Sequence, residues 1–247
     1  MNHLNIIDGN KAIDTIFVDF IDTIVHRSVH PNQVTRIWAK LIIRDLGLKL
    51  KIDQLYFIRK DAKHYLEKKY NTNYWEVEYH ELITEVYNRL TSTLKLKNTS
   101  LADFKDYFER ADIRAEINVQ YVNTNTIELL KELQSKNYNI YCVADFYASE
   151  KVLKEVLKHH NLEQLFSEVF SSASRSKSKL KGELYEHILG TLDVNASQSI
   201  MIGDNYEADV LGAINIGMKA IFFGAYNKDL DANIKQVDNL ILLKNFL

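Results

Sequence analysis

The chain has 247 residues, 46% of them hydrophobic and 26% charged, and Lys+Arg 31 against Asp+Glu 33 gives a formal net charge of −2. That balance excludes the basic footprint of a nucleic-acid binder, and the length suits one large domain or a core with a smaller insert. A single cysteine, Cys142, excludes an internal disulfide and a thiolate zinc cluster, and its apolar neighbours mark it as a packing thiol.

Residues 1–10 lack a cationic flank followed by an apolar core, so no signal peptide is expected. No run approaches the roughly 18 apolar residues of a membrane span. The expectation is a cytoplasmic protein without membrane or nucleic-acid partners. One proline and 8 glycines leave few interruptions, and long helices should dominate.

The first strand is expected at Thr15-Ile16-Phe17-Val18. From about residue 31 to 112 no strand is convincing. Pro31 followed by Val34, Ile37, Trp38, Leu41, Ile42 and Leu46 predicts a helix with proline in its first turn. Leu55, Ile58, Ala62, Tyr65 and Leu66 predict a second helix, and Leu82, Ile83, Val86, Tyr87 and Leu90 a third. A fourth amphipathic segment runs from Leu101 to about Ala111. After a helix over 126–133, apolar runs at 138–143, 168–170, 199–202 and 220–223 alternate with helix-period segments, and 240–243 adds a weaker last run. Strand-then-helix alternation predicts a parallel sheet with helices on both faces, interrupted by an all-α insert. The expected division is a core over 1–26 and 116–247 and a helical domain over 27–115.

Asp19 follows the first strand directly, where a parallel sheet presents residues to its ligand crevice. A carboxylate there can attack phosphorus or carbon and form a covalent intermediate; the bland alternative is a turn or cap residue. The string Ile200-Met201-Ile202-Gly203-Asp204-Asn205-Tyr206-Glu207-Ala208-Asp209 is more specific. A strand ends on Gly-Asp, and a helix opens with a second carboxylate five residues later. Asp204 and Asp209 can thus face one hard cation such as Mg²⁺, whereas helix capping alone would need only Asn205. Gly217 fits a helix C-terminus before the next strand.

These residues resemble the haloacid dehalogenase (HAD) superfamily, whose motifs run in the order nucleophilic Asp, Ser/Thr, Lys, acidic metal pair. Asp19 through Thr23 matches the first, Lys179 within Ser176-Lys177-Ser178-Lys179-Leu180-Lys181-Gly182 the third, and Gly203-Asp204-Asn205 with Asp209 the fourth. Lys177 and Lys181 lie near enough to compete, and Lys179 is chosen by its distance from Gly182. The resemblance spans about residues 12–26 and 116–225; the helical insert matches a type-1 cap by position and helicity. It implies a Rossmann-like three-layer core and Mg²⁺-dependent hydrolysis of a small phosphorylated molecule through an aspartyl-phosphate. It implies Asp19 as nucleophile and metal ligand, Lys179 as its electrostatic partner, and Asp204, Asp209 and the backbone carbonyl of Ile21 at the metal. Thr23, Arg27, the Ala144 backbone, Asp145 and Asn205 become candidate substrate contacts.

Two positions depart from the family pattern. Ile21 stands where these phosphatases carry a second Asp for proton transfer, a contribution of about 10²–10⁴-fold. Ala144 stands at the Ser/Thr position; Asp22 is the nearest substitute for the lost acid, whereas Ser149 lies too far along to replace the lost hydroxyl. Two alternatives follow: a catalytically impaired binding or regulatory module, or a dehalogenase-like carbon-centred hydrolase, against which the intact acidic pair argues. The eight histidines fall at no metal-ligand spacing, although His26 and His30 flank the entrance to the insert. No oligomeric signature is legible.

Overall fold

The computed structural model describes residues 13–93, 96 and 98–223, with the backbone of one further strand at 240–242. The signal-peptide expectation for residues 1–10 and the end of the last apolar run at Leu243 lie outside these.

A six-stranded parallel sheet forms the centre. Its strands are β1 (Thr15–Val18), β4 (Asn139–Ala144), β5 (Glu168–Ser171), β6 (Ser199–Gly203), β7 (Lys219–Phe222) and β8 (Leu240–Leu242), in the order β5-β4-β1-β6-β7-β8. Each run expected from the sequence is a strand, displaced by a residue at most where it is described. β1 lies between β4 and β6, pairing Thr15 with both Asn139 and Ser199. Being covered on both faces, β1 is buried at every position, as its unbroken Thr-Ile-Phe-Val implies.

Alternation along the strands divides the core. Ile16 and Val18 of β1, Ile200 and Ile202 of β6, and Ile140 and Cys142 of β4 point to one face, where α5 (Thr124–Ser135) and α6 (Glu150–His159) pack with Leu130 and Leu153. Phe17, Val143 and Met201 point to the other, against Leu184, Tyr185 and Ile188 of α8 (Glu183–Leu192). The buried Cys142 belongs to the first face, and burial pushes its thiol well above the usual range.

The helical insertion comprises α1 (Pro31–Asp45), α2 (Ile52–Tyr70), α3 (Tyr79–Ser92) and α4 (Leu101–Ile117). α1 begins at Pro31 as expected; the side chain of His30 accepts from the Asn32 N–H at 3.2 Å and caps it. α4 continues past Ala111 to Ile117, so the border expected at 115/116 falls within its last turn. The Trp38 ring of α1 packs tilted against that of Phe108 of α4, 4.6 Å between centroids, and both belong to the same apolar cluster as the α5 and α6 face of the sheet.

Two short strands were not expected: β2 (Val25–Arg27) and β3 (Gln120–Val122) pair antiparallel, Val25 opposite Val122, at the root of the insertion. Val25-His26-Arg27 and Gln120-Tyr121-Val122 form no apolar run, so neither registers in the sequence. Tyr65, expected on the buried face of α2, is exposed; Arg59 and Lys63 are buried in that helix instead.

Candidate active site

The C-terminal ends of β1 and β6 set the site. The N–H of Asp19, the first residue after β1, donates to the Ile202 carbonyl at 2.9 Å, holding Asp19 beside the end of β6. Asp204 follows β6 directly. Asp209 sits in a π-helical turn, Tyr206–Leu211, where the Asn205 side chain accepts from the Ala208 N–H at 3.1 Å. The wider turn swings the Asp209 carboxylate back over the strand end. There Oδ2 accepts from the Asn205 N–H at 3.0 Å, and a Cβ on Gly203 would collide with that carboxylate. Glycine is therefore required at 203 for close approach.

Lys179 lies on the loop between α7 (Ser172–Arg175) and α8. Its ammonium is buried and donates to Asp19 Oδ1 and Asp209 Oδ1, both at 2.5 Å. Of the two neighbouring lysines, Lys177 is half-buried and Lys181 exposed. The loop is fixed at both ends. The Lys179 N–H donates to the Asp145 carboxylate at 3.1 Å, and the Gly182 N–H, with φ of 81°, donates back to the Lys179 carbonyl at 2.9 Å.

Asp19, Asp204 and Asp209 each offer an oxygen within 4.8 Å of the others. Three carboxylates face one ammonium, so full ionisation leaves two negative charges uncompensated. Burial, then the charge of Asp19, pushes the Asp204 carboxyl up to about 7; burial pushes that of Asp209 up to about 8. Burial opposes the charge on Lys179, yet Asp19 and Asp209 hold its pKa well above the usual lysine range. Excess negative charge on an all-oxygen donor set suits a hard divalent cation.

Of the remaining expected residues, Thr23 is fully buried and its hydroxyl donates to Asp204 Oδ1 at 3.2 Å, orienting that carboxylate. Ile21, Arg27, Asp145 and Asn205 line a cavity of about 520 Å³ whose floor holds Asp19, Lys179 and Asp204. Arg27 also forms a two-pronged pair with buried Glu116 (2.9 and 2.7 Å), which accepts from the Tyr147 hydroxyl at 2.7 Å as well. Asp22 takes a left-handed backbone (φ 60°), and its carboxylate meets His26 Nδ1 at 3.2 Å. Ala144 is buried at the end of β4. Ser149 does not replace the missing hydroxyl, because it caps α6 on the Val152 N–H.

Sequence reasoning missed a link from the insertion to the lysine loop. In the turn Tyr74–Glu76, Glu76 Oε1 accepts from the Ser178 hydroxyl at 2.9 Å, and the Asn73 amide donates to the same hydroxyl oxygen at 3.1 Å. Asn73 and Glu76 have capping-box spacing, which was the available signal.

A family described as haloacid dehalogenase-like hydrolase matches residues 50–223. The chain is similar to a glyceraldehyde 3-phosphate phosphatase of Methanothermobacter thermautotrophicus, 29% identical over 39% of this chain and 42% of the relative. It is also similar to a sesquiterpene phosphatase of Aspergillus oryzae, 25% identical over 54% of this chain and 63% of the relative. The chain thus spans less than two thirds of either curated relative. Among solved structures, a 2-haloacid dehalogenase from Pseudomonas syringae shares the fold with a TM-score of 0.64, at 16% identity and 95% coverage of both chains.

Proposed function

Because the chain belongs to the haloacid dehalogenase-like hydrolase family, we propose that it is a Mg²⁺-dependent phosphohydrolase acting on a small phosphorylated molecule through an aspartyl-phosphate on Asp19. One observation carries this reading: Lys179 Nζ bridges Asp19 and Asp209 within a cluster of three carboxylates. The residues fit the cation: Asp19, Asp204 and the Ile21 carbonyl would hold it, and Asp209 would hold it or support the others. When bound, Mg²⁺ would neutralise the surplus charge and draw the phosphoryl oxygens into the site.

Lys179 occupies one oxygen of Asp19, which orients the carboxylate and leaves its other oxygen to attack phosphorus. The bond to the leaving oxygen breaks as the Asp19–phosphorus bond forms, and Lys179 stabilises the charge gathering on the phosphoryl group. Water then attacks phosphorus, releasing phosphate and regenerating Asp19. Thr23 keeps Asp204 in position, and Asp145 keeps the Lys179 loop against the cavity. The relatives' names point to a triose phosphate and a sesquiterpene phosphate; phosphate is the chemistry they share.

The test is hydrolysis of p-nitrophenyl phosphate with and without Mg²⁺. Its phenolate leaves without a proton, so Ile21 matters least there. Turnover should require the metal and fall at least about 10³-fold in Asp19→Asn, on the scale of losing a nucleophile; unchanged turnover in that variant overturns the reading. A second reading, a ligand-binding module without turnover, is favoured by Ile21 at the cavity and Ala144 at the end of β4. In that case Mg²⁺ stabilises the protein without hydrolysis, and Ile21→Asp with Ala144→Ser raises activity from background.

A further inference from the structure

The cavity above Asp19 changes character with height. Its floor is charged, but its exposed lining includes Trp75, Leu180 and Pro31, with Val29 half-buried and Phe146 buried behind them. Trp75 and Leu180, both lining this cavity, remain 39% and 50% exposed. The Trp75 backbone N–H donates to the Asn73 side-chain oxygen at 2.9 Å, and the Tyr74 ring meets the Trp75 ring edge-on at 4.8 Å. The Tyr74 ring in turn lies 3.3 Å from Lys63 Nζ, a buried amine without a hydrogen-bond partner among the described residues. The result is a preformed flat wall.

Charged groups at the rim are poorly suited to a second phosphate. Arg27 has Nε and Nη2 committed to Glu116, while Asp22 and Glu207 are acidic and repel additional anions. Ile21, two residues from the nucleophile, donates no proton, and the Asp22 side chain is 57% exposed and turned to His26. A leaving group here must therefore depart with its own negative charge.

Apolar rim and absent acid converge. Resting on the phosphohydrolase reading above, we infer that the site takes aryl phosphate monoesters, the ring seated against Trp75 and Leu180. The phosphorus–oxygen bond breaks with its electron pair on the aryl oxide, which later takes a proton from solvent. Phosphorus stays on Asp19 until water releases it as inorganic phosphate.

The experiment measures kcat/KM of the full chain with Mg²⁺ for 2-naphthyl phosphate, p-nitrophenyl phosphate, glycerol 3-phosphate and acetyl phosphate. Acetyl phosphate has a good leaving group and no ring, so it reports the phosphohydrolase chemistry alone. The aryl esters should exceed glycerol 3-phosphate by at least about 100-fold, on the scale of general acid catalysis, and Ile21→Asp should narrow that gap. Trp75→Ala should reduce the preference for 2-naphthyl over acetyl phosphate about tenfold, on the scale of a lost aromatic contact. Acetyl phosphate turnover with glycerol 3-phosphate as good as the aryl esters, or a preference unmoved by Trp75→Ala, overturns the inference alone. No Asp19-dependent turnover of any of the four overturns the phosphohydrolase reading and the inference with it.

Discussion

Asp204 and Asp209 gain their raised carboxyl pKa values, about 7 and about 8, from burial beside Asp19. In an unfolded chain both titrate at about 4, so between about pH 4 and 8 the folded, metal-free protein holds protons that the unfolded chain has released. Its stability should therefore fall as pH rises through that window. A bound cation would take the protons' place. Urea midpoints at pH 5.5 and 7.5 should diverge in EDTA and converge with saturating Mg²⁺; the same divergence in both would contradict the charge balance described. The acidic pair was legible from the Gly-Asp ending of β6 and the carboxylate five residues on. The π-helical turn that aims Asp209, and the collision that demands Gly203, were not, because both depend on side-chain distances that residue spacing does not encode.

At the level of the helix, α2 and α4 meet through charge as well as apolar packing. Arg59 donates to Asp112 at 2.7 and 3.0 Å, both are buried, and the Tyr79 hydroxyl completes the carboxylate at 2.8 Å. Burial works against the Arg59 charge, yet Asp112 holds its pKa above the usual arginine range. Arg59→Met should destabilise the protein by about 3–5 kcal/mol, because it strands a buried carboxylate, and Asp112→Leu in the same chain should recover most of the loss. Urea unfolding of the single and double variants checks this; an additive double variant would mean the pair is not coupled. The helices themselves were readable from periodicity. The buried face of α2 departs from its hydropathy at Tyr65, Arg59 and Lys63, since hydropathy assigns charge to solvent while Arg59's partner lies 53 residues away.

Across the whole molecule, the insertion and one face of the sheet share a continuous apolar cluster, running from Trp38 and Phe108 to Ile16, Cys142, Leu153 and Val156. Shared packing of this kind should make the two parts unfold together. Trp38 and Trp75 are the only tryptophans, and both lie in the insertion, while the one thiol, Cys142, lies in the sheet. Tryptophan fluorescence and Cys142 labelling across a urea titration should therefore give one coincident transition; labelling that lags the fluorescence change would show the insertion melting by itself. The order of strands and helices was visible in the sequence because each strand is an apolar run followed by a helix-period segment. The β2–β3 pair was not, since Val25-His26-Arg27 and Gln120-Tyr121-Val122 are not apolar runs and stand at opposite ends of the insertion.

That pair has an evolutionary consequence. It brings the chain back to where it left, so from the sheet's side the whole insertion is a closed loop. Closing a loop becomes only about 0.6 kcal/mol harder with each doubling of its length. Descendants of this chain are thus free to lengthen, trim or exchange the helices above the ribbon, and so to change what the cavity admits, while the strand that carries Asp19 stays as it is.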